Sequence, residues 1–105
     1  MRVNEESSAT FTVRPMDENG SPFIPTTMRY RVDDLASSTQ IIGWTAATPS
    51  VEVTIVVPAS AHTMIDPDKP EEVRVLTVQS DYDTDDQHSE EKRYDLVNLA
   101  FAEVP

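Results

Sequence analysis

Where this chain is regular, its apolar and polar positions alternate with period two. In Ala9-Thr10-Phe11-Thr12-Val13, alanine, phenylalanine and valine share one face and the threonines the other. Alternation of β-favouring residues predicts a half-buried strand. A second segment, Thr27 to Asp33, sets Met28, Tyr30 and Val32 opposite Arg29 and Arg31. A charged face behind an apolar one suits an antiparallel sheet wet on one side. A third, short segment is expected from Gln40 to Trp44. The fourth is the cleanest: Val51, Val53, Ile55 and Val57 alternate with Glu52, Thr54 and Val56 between Pro49 and Pro58. The fifth spans about Glu72 to Ser80 and is apolar on both faces, which predicts a central strand or one that contacts a partner chain. The sixth spans about Lys92 to Leu99.

The segments between are punctuated by turn chemistry. Asn19-Gly20 is a turn signal, because both residues tolerate positive φ. Pro22 and Pro25 bar a regular central strand after it. Residues 59–64 suit one helical turn or a short edge segment, and Asp66-Pro67-Asp68-Lys69-Pro70 suits a loop. Six or seven short strands with proline-rich connections and no helical period predict an all-β sandwich or barrel. At 105 residues the chain makes one domain. Residues 1–8 are expected as a flexible N-terminal arm, and 9–105 as the domain.

Charge narrows the partners. Nineteen acidic residues against eight basic ones give a formal net charge of −11. Backbone binding of nucleic acid rests on arginine and lysine, so it is not expected. An anionic membrane surface is disfavoured for the same reason. No window approaches the length of a transmembrane helix. The residues after Met1 lack the apolar run of a secretory signal, so synthesis and folding in a cytoplasm are expected.

Candidate chemistry is sparse. The absence of cysteine excludes disulfides, thiol catalysis and thiolate metal sites. Asp81-Tyr82-Asp83-Thr84-Asp85-Asp86 begins like a calcium loop, whose alternating carboxylates supply hard oxygens. The match fails at the glycine position, held by Asp86, and at the final glutamate, held by Lys92. A solvated acidic hairpin is the expected reading. His62 and His88 have no second histidine at ligand spacing, so no metal or other cofactor is expected. No serine lies in a nucleophile elbow, and no phosphate-binding glycine loop is present. The expectation is a protein that is not an enzyme. Trp44, the single tryptophan, is expected to fill the core of a sandwich.

Three stretches taken together resemble a known group of proteins. They are Met28-Arg29-Tyr30-Arg31-Val32-Asp33-Asp34-Leu35, then Ala47-Thr48-Pro49-Ser50-Val51-Glu52-Val53-Thr54-Ile55, then Glu72-Val73-Arg74-Val75-Leu76-Thr77-Val78 with Tyr94-Asp95-Leu96-Val97-Asn98-Leu99. In that order they resemble small structural proteins of tailed bacteriophages, with Ig-like or fibronectin-III-like β-sandwiches. The resemblance spans roughly Ala9 to Leu99 and implies an Ig-like sandwich of six or seven antiparallel strands. It implies a virion structural protein, foremost a capsid decoration or cement protein bound to the major capsid protein. An accessory of the neck or tail, touching neighbouring virion proteins, is the second expectation. A carbohydrate-binding Ig-like module is the third. A homo-oligomer such as a trimer is compatible with each. The virion's outer surface, or its neck and tail, suits a chain of this charge. The expected interface comprises the arm with Arg2 and Val3, the strand cations Arg29 and Arg31, and the acidic hairpin with Asp81, Asp83, Asp85 and Asp86.

Overall fold

The computed structural model describes residues 2–16, 19–81 and 87–98. Seven strands run through them in chain order: β1 (Arg2–Asn4), β2 (Ala9–Val13), β3 (Thr27–Asp34), β4 (Gln40–Ala47), β5 (Val53–Val57), β6 (Glu71–Asp81) and β7 (Gln87–Val97). A single 3-10 turn, Ala59–Ala61, is the only helical element among the described residues. Five strands form one sheet in the order β1-β7-β6-β3-β4, and β2 and β5 form a second.

Strand β6 is the spine of the larger sheet. It pairs antiparallel with β3 on one side and with β7 on the other, each without a register break. A strand flanked on both sides and covered on its inner face has apolar side chains on both faces, as Val75, Leu76 and Val78 do. β2 and β5 pair antiparallel from Ala9 opposite Val57 to Val13 opposite Val53. Their inward residues alternate cleanly with exposed ones. Phe11, Val13, Val53, Ile55 and Val57 join Val3, Met28, Val32, Leu76, Val78, Tyr94 and Leu96 in one apolar cluster that spans both sheets. The rings of Phe11 and Tyr94 meet at 5.2 Å between centroids, tilted by 50°. Such a pair contributes about 0.5–1.5 kcal/mol beyond its buried area.

The N-terminal residues depart from the expected arm. Arg2–Asn4 form a parallel ladder with Asp95–Val97 of β7, and Val3 is buried in the core at 5% exposure. Thus the sheet is mixed rather than wholly antiparallel. One buried apolar side chain between polar neighbours gives β1 a core-facing side. The Glu5 N–H donating to the Val97 carbonyl continues the pairing. Glu6, at φ 60°, then turns the chain toward β2.

Gly20 adopts φ 80°, as the Asn-Gly signal requires, and an isolated bridge joins Met16 to Pro22 nearby. Strand β4 runs three residues beyond its expected end and carries two register shifts against β3. Tyr30 faces Thr45, Val32 faces Ile42, and Asp33 faces Gln40, so β4 has an extra residue at each step. A bulge flips the face of every residue beyond it. Ile41 and Ile42 both pack toward the core, while Trp44 turns to the other side and stays 40% exposed. The tryptophan expected in the core is therefore on the outer face of the sheet.

Candidate functional site

Two places concentrate chemistry-bearing side chains, one buried and one exposed. The buried one lies where the inner face of the larger sheet meets the 3-10 turn. The registers place Arg74 of β6 between Asp34 of β3 and Tyr94 of β7. Arg74 is 0% exposed. One terminal nitrogen donates to the Ala61 carbonyl at 3.0 Å, the other to the Thr63 carbonyl at 2.9 Å and to Glu72 at 3.1 Å. Its Nε faces Asp34 Oδ1 at 3.3 Å, and neither of these two atoms has a hydrogen-bond partner. Both carboxylates also accept from donors in neighbouring turns. Glu72 accepts from the N–H groups of Ile65 and Asp66, and Asp34 accepts from the N–H and hydroxyl of Ser37.

His62 extends this cluster toward the N-terminus. It is fully buried, with Nδ1 on the Ser7 carbonyl and Nε2 2.8 Å from the Tyr94 hydroxyl. Its own carbonyl accepts from the Glu6 N–H at 2.7 Å. One residue thus ties down the chain that follows β1 from both sides. Burial pushes the imidazole's pKa below its usual value; the Ser7 carbonyl opposes this shift and the Arg74 charge adds to it. Burial also raises the Tyr94 hydroxyl to about 12, against the lowering influence of Arg74. Tyr94 is therefore a neutral hydrogen-bonding group at ordinary pH. The charges of Arg74, Asp34 and Glu72 act on one another, and none faces solvent. Chemically, the cluster joins the strands of one sheet to the 59–66 segment.

The exposed place is the outer face along β3 and β4. The Arg29 guanidinium carbon lies 4.2 Å from the centroid of the Trp44 ring, and that of Arg31 lies 5.5 Å from it. Arg31 forms a two-pronged pair with Asp33, at 2.8 and 2.6 Å. That carboxylate holds the guanidinium more firmly charged. Arg29 donates to the Gln79 side chain instead. A shallow depression of about 270 Å³ lies alongside, between Arg31, Asp33, Thr77, Glu91 and Arg93. Among the described residues β4 is a sheet edge, paired only with β3. A crevice of about 380 Å³, lined in part by Tyr30, Ala47 and Val53, separates it from β5.

The expected interface residues fall in different places. Arg29 and Arg31 come together around Trp44. Arg2 is exposed, 3.5 Å from Glu71. Val3 is buried, so its side chain is unavailable to a partner, because it fills the core between β1 and β7. Asp81 ends β6, accepting from the Thr27 hydroxyl and the Thr26 N–H. Asp83, Asp85 and Asp86 lie outside the described residues. Among the described residues, no three acidic or histidine side chains gather as metal ligands.

Sequence reasoning passed over two features. The buried Arg74 leaves no local sign, since a strand arginine between valines reads as solvated. The exposed edge does leave a sign: no charged residue occurs from Leu35 to Val51 in a chain that is 26% charged. Compared with known proteins, the chain matches no family model, no curated protein and no solved structure.

Proposed function

We propose that this chain is a non-enzymatic docking protein with an Ig-like β-sandwich, and that it decorates the head of a tailed bacteriophage by binding the major capsid protein. One observation carries the docking reading. The ionisable side chains best placed for chemistry are buried and tied to one another, whereas an uncharged sheet edge beside Trp44 faces outward. The strand arrangement supports the Ig-like reading. The order β3-β6-β7 with β4 added at one edge, opposed by β2 and β5, parallels the C-F-G sheet with C′ and the B–E pair of immunoglobulin-like domains. The resemblance of the three sequence stretches supports the phage setting. In that setting, repetition over many equivalent lattice sites makes modest contacts strong in total. The net charge of −11 favours the outer surface over the packaged DNA.

The test is the copy number of this protein per purified virion, relative to the major capsid protein. Copies matching the shell's repeating sites, with heat and osmotic resistance lost from virions that lack them, are expected. A handful of copies per particle would move the protein to the neck or tail, and absence from virions would overturn the phage reading. The half-exposed Trp44 favours one second reading, a module that stacks sugar rings. Quenching of its fluorescence by host glycans checks that reading.

A further inference from the structure

We infer that the Trp44–Ala47 stretch of β4 accepts an extended segment of a partner protein, one bearing an aromatic or large apolar residue and a carboxylate two positions apart. The inference builds on the docking reading and adds the partner's chemistry. Natural sheets protect their edges with charges, proline or bulges. β4 has neither charge nor proline, and its bulges lie at the Gln40–Thr45 end. From Thr45 to Ala47 the register against β3 is unbroken, and among the described residues no strand pairs with the opposite edge, which leaves a row of backbone donors and acceptors for an added strand.

The side chains along this row supply the specificity. Trp44 and Ala46 are exposed, while Thr45 and Ala47 are half-buried. An added strand sets its side chains on one face at every second residue, so its contacts beside Trp44 and Ala46 are two positions apart. Trp44 offers an aromatic neighbour. Ala46 is small, and its partner in the register on β3 is Arg29. A carboxylate beside Ala46 would therefore stand one small side chain away from Arg29 in the register.

Arg29 is poised for such a partner. Among the described residues, Arg2, Arg14, Arg31, Arg74, Lys92 and Arg93 each lie within 4.0 Å of a carboxylate. Arg29 forms no such pair, and the only other described lysine or arginine without one is Lys69, in the loop before β6. A positive site on a chain of net charge −11 complements an acidic segment. A second copy fits less well. Symmetric pairing of two β4 edges would offer Arg29 no carboxylate, since β4 carries none, and the net charges of the copies repel.

Trp44 is the only tryptophan, so its fluorescence reports on this edge alone. The probe is a synthetic heptapeptide of alternating valine and threonine, with a central phenylalanine and a glutamate two positions on. Its control carries lysine in place of the glutamate. The glutamate peptide is expected to shift Trp44 emission at low salt and to bind about fivefold tighter than the control. Arg29→Glu should reverse that order, and Arg29→Gln should abolish the discrimination. No shift with either peptide, equal binding of both by the unmodified protein, or an order unchanged by Arg29→Glu would overturn the inference. A concentration-dependent dimer whose formation shifts Trp44 would overturn it too, since the edge would then belong to a second copy. Copy number per virion is read separately. Peptide discrimination in a protein absent from virions leaves the surface standing without the phage setting, and virion copies without discrimination do the reverse.

Discussion

The buried cluster around Arg74 and the outer edge around Trp44 deal with arginine in opposite ways. In the interior, Arg74 has no exposed surface and answers to two carboxylates and two backbone carbonyls. On the surface, Arg29 lies against a tryptophan ring and, among the described residues, pairs with no carboxylate. An arginine surrounded by acceptors holds parts of the fold together. An arginine with spare charge beside an open edge is available to a partner. The difference teaches that in this chain the most enclosed arginine serves the fold, whereas the arginine against Trp44 is left exposed, where the proposed partner would meet it.

The sharpest way to break the contrast is to remove the interior cation. Arg74→Met keeps much of the side-chain length and strands Asp34 and Glu72 without their counter-charge. Breaking a buried pair in this way costs about 3–5 kcal/mol. Small domains are stable by only about 5–15 kcal/mol, so the variant should be marginal or unfolded at 37 °C. Urea unfolding followed by circular dichroism measures the loss. A loss below about 1 kcal/mol would mean that the cluster is solvated and that its charges do not lock the fold.

Acidification probes the same cluster with a smaller effect. His62 is buried and its pKa is lowered, so the unfolded chain takes up the proton first. Its contribution is complete above the unfolded value of about 6.5 and is lost as pH falls from there through the folded one. One such group changes stability by at most about 1.4 kcal/mol per pH unit. Between pH 7.5 and 5.5 the protein should therefore lose stability. His62→Gln should be weaker at pH 7.5, because the Ser7 and Tyr94 contacts are disturbed, yet show a flatter slope over that window. Equal slopes for the two proteins would show that His62 is not the responsible group.

How much of the two regions was readable in advance depends on what each required. Strand β2 was legible to the residue, because Ala9, Phe11 and Val13 alternate with threonines and the burial follows suit. The central place of β6 was legible from apolar residues on both faces. The outward turn of Trp44 was not, since it depends on bulges that arise only when β4 meets β3. Strand β1 was hidden for a different reason. Its pairing with Asp95–Val97 joins the two ends of the described chain, and three residues carry too little pattern to announce a strand. Arg74 was hidden because its partners, Asp34 and the carbonyls of Ala61 and Thr63, come from separate segments. Arg29 and Arg31 were singled out as surface cations, yet their convergence on Trp44 required the bulge.

Trp44→Ala should have the smallest effect on stability, and its size sharpens the comparison. Truncating a core tryptophan costs about 3–5 kcal/mol, because a large cavity opens among packed neighbours. Here the indole is already 40% exposed, and its described ring contacts are the guanidinium groups of Arg29 and Arg31. A cation–π contact at an exposed site contributes about 0.5–1 kcal/mol. The expected loss is therefore about 1 kcal/mol, measurable by urea unfolding followed through circular dichroism. Emission from the unmodified protein should lie on the red side of that of a buried indole. A loss of 3 kcal/mol or more would place Trp44 in the core and close the edge to a partner. A small loss leaves the largest side chain of the chain contributing little to the fold, which is how a contact residue behaves before its partner arrives.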